Sequence, residues 1–340
     1  MPLRLPWLTI ILLGILLASL PFAIKKNNYE LASSLTKPFQ RAQLAYRSLF
    51  TSTTTTAMAP RTPVYFLSHG GPNLIHDQAH PAYRTLQSLG HEITHSVRPK
   101  ALLVISAHWQ SDSPSNIQVS SPSTQELLYD YYGFPSDYYN LSYPATGSPQ
   151  LAERVVRVLG EGGIKAEAVE RGLDHGVFIP FMAAFDSKEN PLNIPIVSMG
   201  LFGSDDGAAH FRLGEALACL RDEGVVIIAS GMAVHNLRDF RRAMQGGFVG
   251  GVAKPMEYCE SFDEALKVAV ETPPKGRKEA MLGLLKRGDA RKAHPSLEHL
   301  LPVYVGAGAA GEDGGKRVWT MCEGSLSWGM VRFGEVAKSG

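Results

Sequence analysis

The sequence predicts an α/β fold: a single domain with a largely parallel central sheet flanked by helices, and a metal site at the C-terminal ends of its strands. Three observations carry this. Short Val/Ile/Leu runs alternate with longer segments of helical character, the order expected of a parallel sheet with crossover helices. The runs are apolar at successive positions rather than at every second one, as strands covered on both faces are. Histidines then follow several of these runs, in the place where open α/β sheets bind their ligands.

In chain order, Val64–Leu67, Ala101–Ser106, Ile117–Val119, Ile194–Met199, Val225–Ala229 and Val303–Val305 read as strands on their continuous apolar character. Pro81–Gly90, Pro149–Leu159, Asp206–Arg221 and Tyr258–Val270 read as the helices between and after them. The third helix has the clearest boundaries, with Ser204-Asp205-Asp206 before it and Gly224 after it as a C-cap. Between strands and helices lies Tyr129–Tyr143, in which six tyrosines and Phe134 surround Gly133 and Pro135. It reads as a long ordered loop whose rings either wall a pocket for a flat ligand or pack the loop onto the domain.

Of the 340 residues, 44% are hydrophobic and 19% charged, so a large core is available. From Thr62 onward there is neither a second linker nor a repeat, and residues 62–336 read as one large domain. A formal charge of +1 without a basic stripe excludes nucleic acid as the expected partner. Cys219, Cys259 and Cys322 are odd in number, widely spaced and form no CxxC pair, which argues against a disulfide framework and a thiolate zinc site. Residues 1–24 contain an uncharged stretch, Leu5–Ile24, flanked by Arg4 and by Lys25 and Lys26. Its length suits a membrane anchor better than a cleaved signal. Residues 25–61 form a linker that includes Thr51-Ser52-Thr53-Thr54-Thr55-Thr56. Two expectations follow: a membrane-anchored protein if residues 5–24 are retained, and a cytoplasmic one if translation starts at Met58.

The histidines carry the chemistry. His69 follows Val64-Tyr65-Phe66-Leu67-Ser68 and precedes Gly70-Gly71-Pro72; His108 ends Leu102-Leu103-Val104-Ile105-Ser106-Ala107; His235 closes the run that starts at Val225. Neutral imidazole ligates iron, zinc, copper and nickel, and a catalytic metal takes about three protein ligands while keeping a position open. These three fit that role because strands fix ligand geometry. His175, in Gly172-Leu173-Asp174-His175-Gly176, sits on a turn and suits a general acid/base. His299 precedes the apolar Leu300-Leu301-Pro302 and is a further candidate, whereas His76, His80, His91, His95, His210 and His294 occupy polar or helical contexts and read as solvated. Arg238, three residues past His235, could pair with a substrate carboxylate. Ser230 and Asn236 are candidates to orient ligands; Asp174 adjoins His175, but neighbouring side chains usually diverge, so no such role is assigned to it.

Taken together, SHGGPN around His69, ISAHW around His108, LDHG around His175, SGMAVHNLR around His235 and LEHLLP around His299 resemble the class III extradiol ring-cleaving dioxygenases, most of all the branch of 4,5-DOPA extradiol dioxygenases. The resemblance runs from about Pro63 to Phe333, includes YPATGSP and EGSLSWG, and leaves out the first 57 residues. It implies a single non-haem metal on His69, His108 and His235, with His175 as acid/base and as a fourth ligand in a zinc form. It implies that His299 lines the substrate pocket. Expected partners are a small aromatic diphenol, DOPA-like, and O2, with ring opening to a semialdehyde. Fe(II) is the expected working metal, because closed-shell Zn(II) cannot pass electron density to oxygen, although Zn(II) suits a histidine-rich site in the isolated protein. Two other readings remain open: a zinc hydrolase on the same histidines, and a non-catalytic binding relative of the fold.

Overall fold

The apolar runs form the inner strands of an eight-stranded sheet, and burial on both faces explains why none of them has a polar side. The computed structural model describes residues 61–249 and 252–336. The sheet is built from β1 (Val64–Ser68), β2 (Ala101–Gln110), β3 (Asn116–Ser120), β4 (Lys165–Val169), β5 (Ile196–Leu201), β6 (Val225–Gly231), β7 (Gly315–Trp319) and β8 (Met330–Phe333). Their spatial order is β7-β8-β1-β6-β2-β5-β3-β4. β1, β6, β2 and β5 run parallel, with Val64 opposite Ile227, Ala101 opposite Val225 and Leu102 opposite Ile196. Their C-terminal ends therefore share one edge. Antiparallel pairs flank this centre, β8 against β1 and β7 on one side and β3 against β5 on the other.

Alternate side chains of each strand point to opposite faces. Val64, Phe66, Leu103, Ile105 and Ile227 enter one apolar core, while Tyr65, Leu67, Leu102, Val104 and Ile228 enter a second on the other face. The helices that cover these faces are α1 (Pro81–His91), α2 (Pro149–Glu161), α3 (His175–Ala184), α4 (Gly207–Leu217), α5 (Leu237–Gln245), α6 (Glu257–Glu271), α7 (Pro274–Leu284), α8 (Ala290–Ala293) and α9 (Leu301–Ala309). The boundary signals of the expected third helix hold. Asp206 caps α4 by accepting the backbone N–H of Ala208 (2.8 Å) and Ala209 (3.0 Å), and Gly224 turns the chain with φ +89°.

One strand expectation is corrected: Val303–Val305 lies inside helix α9, not in the sheet. Every residue of α9 is buried, so it has no polar stripe, and a short apolar run cannot by itself distinguish such a helix from a buried strand. α9 packs against α4 at very short range. A Cβ on Gly214 would lie 2.0 Å from the Val305 carbonyl oxygen, and one on Gly308 would lie 2.0 Å from that of Phe211. α3 is also buried nearly all round and was not foreseen. Pro180 inside it has no N–H to offer the Gly176 carbonyl one turn earlier; the Ser230 hydroxyl of β6 donates to that oxygen instead.

Two histidines expected in solvent, His210 and His294, are fully buried. His210 lies on the inward face of α4 with Nδ1 against the Asp206 carbonyl (2.8 Å), and His294 Nε2 donates to the Ala233 carbonyl (2.9 Å). Each is admitted to the interior by one backbone acceptor. Among the described residues no helix is long and apolar enough to cross a membrane. The readings of residues 1–24 and of most of 25–61, the anchor included, lie outside the described residues.

Candidate metal centre and active-site pocket

The shared C-terminal edge of β1, β2 and β6 gathers histidines from five separate stretches of sequence. His69 directly follows β1, and its backbone N–H donates to the Gly231 carbonyl at the end of β6 (3.0 Å). β2 continues to Gln110, so His108 stands within the strand rather than after it. His235 ends a two-residue strand, Val234–His235, that pairs with Leu326–Ser327. His175 opens α3, and His299 lies just before α9.

Ligand atoms of His69, His108 and His175 all lie within 4.8 Å of one another, and those of His235, Glu298 and His299 form an adjoining group. His299 links the two. Its ring stacks on His235 (centroids 3.6 Å apart), and its Nε2 is 3.2 Å from Nε2 of His108. Of the expected trio, His69 and His108 are grouped with His175, while His235 stands in the adjoining group with His299. Arg238 belongs to neither group. That residue is exposed on α5 and does not line the pocket.

The hydrogen bonds show which nitrogens remain free. His69 Nδ1 faces the Gly70 carbonyl (3.0 Å), so Nδ1 holds the proton and Nε2 presents a lone pair. That Nε2 is buried and has no partner. His175 Nδ1 donates to Asp130 Oδ1 (2.8 Å), which also accepts the His175 backbone N–H (2.9 Å). Asp130 Oδ2 is 3.4 Å from His108 Nδ1, and Glu298 Oε1 is 3.0 Å from His299 Nδ1. With Nδ1 of His108 and of His299 each turned to a carboxylate, their Nε2 atoms confront each other as lone pairs. A buried, partnerless Nε2 on His69, amid neighbouring imidazoles with unprotonated nitrogens, suits a cation, and carboxylate-anchored imidazoles are the usual holders of one. The residues present fit a metal ion.

Burial opposes protonation of His69, His108, His235 and His299. Desolvation, reinforced by neighbouring imidazoles, holds His69 and His299 well below the ordinary histidine range. Burial likewise lowers His108 to about 3 and His235 to about 4. At neutral pH these rings are uncharged and ready to ligate. Partial burial works against ionisation of Asp130, but the hydrogen bonds from His175 outweigh it and hold the carboxyl below its usual range. Asp174 is buried and turned away, accepting from Ser106 Oγ (2.6 Å). Ser230 supports α3 rather than a candidate ligand directly, and Asn236 caps α5 and donates to the Lys292 carbonyl (2.7 Å).

The cluster opens into a cavity of about 600 Å³. Tyr131, Tyr132 and Phe134 of the aromatic loop form part of its wall, while Tyr129 and Tyr143 pack into or against the core; both readings of that loop apply to different rings. Opposite, Trp328 lies over Gly70, whose φ of +65° and missing Cβ let the indole approach; a Cβ there would be 2.2 Å from the ring. Sequence reasoning missed Asp130, Glu298 and Glu323. Asp130 is the first acid of the aromatic loop, and the other two stand in the LEHLLP and EGSLSWG segments, but no spacing rule joins them to histidines far away in sequence.

Residues 62–331 match the family described as the catalytic LigB subunit of aromatic ring-opening dioxygenase. Among similar proteins is a 4,5-DOPA dioxygenase extradiol of Beta vulgaris, 35% identical over 275 residues, covering 79% of this chain and 95% of that protein. Another of that name from Escherichia coli K12 is 32% identical and covers 81% and 95%. Dioxygenase tasH of Hapsidospora irregularis is 34% identical, covering 76% and 81%. A crystal structure of an uncharacterized Escherichia coli K12 protein superposes with a TM-score of 0.63 at 30% identity, covering 81% of this chain and all of the other.

Proposed function

Because the chain belongs to the LigB family of class III extradiol dioxygenases, a metal-dependent family, we propose that it opens the ring of a DOPA-like ortho-diphenol with O2, giving a semialdehyde. The observation that carries this reading is the partnerless, buried Nε2 of His69 at the centre of five clustered histidines that open into an aromatic-walled pocket. His69, His108 and His235 would hold the metal, and His175 would be the acid/base. His175 is assigned the proton because Asp130 fixes its Nδ1–H, which leaves Nε2 as the basic atom.

Fe(II) bound there would supply the redox chemistry that lets O2 react with a diphenol. The protein's own residues do the rest. His175 Nε2 accepts a hydroxyl proton from the substrate and returns it later in the reaction. Asp130 holds that ring in one tautomer and one orientation, the positioning role of a carboxylate behind a catalytic histidine. His299 lines the cavity beside them. Tyr131, Phe134 and Trp328 flank the flat ring and exclude water from it.

The test is oxygen uptake by the full chain, reconstituted anaerobically with Fe(II) and given L-DOPA and simple catechols. The expected result is one O2 consumed per diphenol with a new yellow chromophore, and neither with Zn(II). No uptake with any diphenol, despite one tightly bound metal per chain, overturns the reading. The cellular setting is proposed in two forms, cytoplasmic if synthesis begins at Met58 and membrane-attached if residues 5–24 are kept; the N-terminal peptide of the purified native protein decides between them.

A further inference from the structure

The charge of the pocket is one-sided. Among the described residues, Asp77, Asp130 and Glu323 line it, and no lysine or arginine does. Asp130 is committed to His175 and His108, and Asp77 is exposed. Glu323 is neither. Its side chain is 19% exposed, and its Oε2 accepts from Trp328 Nε1 (3.2 Å) and from His80 Nε2 (3.4 Å). His80 Nδ1 accepts the Ala82 backbone N–H (3.2 Å), so its single proton is the one on Nε2 that faces Glu323. Both donors to the carboxylate are then neutral groups. They hold it in place, and the His80 hydrogen bond outweighs burial to keep Glu323 below the usual carboxylate range.

A fixed, partly desolvated carboxylate attracts a cation more strongly than a solvated one does. The indole that binds Glu323 is the same ring that overlies Gly70 beside His69, and indole faces attract ammonium groups as well. A substrate carboxylate would meet the opposite: no cationic side chain on the walls, three carboxylates, and Arg238 outside. We propose that this pocket selects an ortho-diphenol whose side chain ends in an ammonium over one whose side chain ends only in a carboxylate, with Glu323 as the specificity-determining residue. The diphenol part rests on the function proposed above; the charge selection rests on Glu323 and the lining alone.

The test compares two diphenols of similar length, dopamine and 3-(3,4-dihydroxyphenyl)propionate, on the full chain loaded with Fe(II), by oxygen uptake. The wild-type kcat/KM is expected to favour dopamine by about tenfold or more, since like-charge contact is costly and charge-assisted contact favourable. Glu323→Gln keeps an acceptor oxygen for Trp328 but removes the charge. It should narrow the dopamine-to-propionate ratio by about tenfold, mainly through KM, whereas Glu323→Asp should keep the preference. A wild-type preference for the propionate, or a ratio that Glu323→Gln leaves in place, overturns the inference. If Glu323→Gln does not fold, the wild-type ratio and Glu323→Asp still decide. If no diphenol is turned over, the ring-cleavage reading fails, and charge selection is judged by calorimetric binding of phenethylamine against 3-phenylpropionate, which need no metal chemistry. Tighter binding of the amine upholds it, and equal or tighter binding of the acid ends it.

Discussion

Replacing Asp130 with Asn tests the support behind the proposed acid/base. In the wild type one carboxylate oxygen takes both the His175 ring proton (2.8 Å) and its backbone N–H (2.9 Å), while the other faces His108 Nδ1 at 3.4 Å. Asparagine keeps one acceptor, so a hydrogen bond to His175 survives without its charge. A hydrogen bond to an ionised group contributes about 1.5–3 kcal/mol and a neutral one about 0.5–1.5. The difference, about 1–2 kcal/mol, corresponds to a fall of roughly 5–30-fold in kcat, at about 1.4 kcal/mol per tenfold. The second oxygen becomes an amide N–H2 that confronts the His108 ring proton, donor against donor. Metal affinity should therefore weaken by about tenfold, at the lower end of what loss of a ligand's carboxylate partner costs. Anaerobic Fe(II) titration followed by oxygen uptake at saturating Fe(II) separates the two effects. If affinity and saturated kcat both stay within about twofold of wild type, Asp130 does not position His175, and the tautomer argument built on it is wrong.

Further outcomes follow from the same geometry. His108→Ala should lose the metal, whereas His175→Ala should keep it and lose about 10²–10⁴-fold in kcat; elemental analysis of both decides, and a metal-free His175→Ala would make that ring a ligand. His235→Ala should also lose the metal, and full retention would give the third position to His175 or His299. His294, lowered to about 4 by burial, gives the metal-free chain an acid sensitivity. Between about pH 6.5 and pH 4 the unfolded ring is protonated and the folded one is not, so stability present above pH 6.5 falls as pH drops, by up to about 3 kcal/mol. Urea midpoints at pH 7 and pH 5 should lie closer together in His294→Gln than in the wild type. Gly214→Ala should destabilise the fold by about 1–3 kcal/mol or more, because its Cβ meets the backbone of α9, which cannot yield like a side chain; an unchanged denaturation midpoint would contradict the close packing of α4 on α9.

The elements legible in sequence are those whose local pattern answers to one cause. β1, β2 and β6 are buried on both faces, so their apolar runs mark both existence and extent to within a few residues. α4 announces its start because the Asp206 side chain must satisfy N–H groups that no preceding turn can. α3 and α9 escape because full burial erases periodicity, and Pro180 inside α3 reads as a helix breaker until Ser230, far away in sequence, takes up the carbonyl it leaves free. β4 escapes for the opposite reason. Its Lys165-Ala166-Glu167-Ala168-Val169 forms an edge strand with little burial to constrain it, so its side chains carry little pattern.

The site divides along the same line. His69 and His108 are legible because β1 ends beside the first and β2 carries the second, and the parallel centre of the sheet brings these segments together, while His235 follows β6 on the short strand Val234–His235. The carboxylates of the pocket come from loops and from the strand Cys322–Glu323 paired with Leu326–Ser327, whose placement depends on the whole fold. Asp130 and Glu323 illustrate what that placement does with the same functional group. Asp130 meets imidazole protons that must stay on Nδ1, and so it orients bases. Glu323 meets an indole N–H and an imidazole whose other nitrogen is already an acceptor, and it faces the cavity. In the proposed reading, histidines that the sheet positions act on the reacting ring, and the charge of the molecule accepted depends on a carboxylate whose significance appears only once its two hydrogen-bond donors are placed.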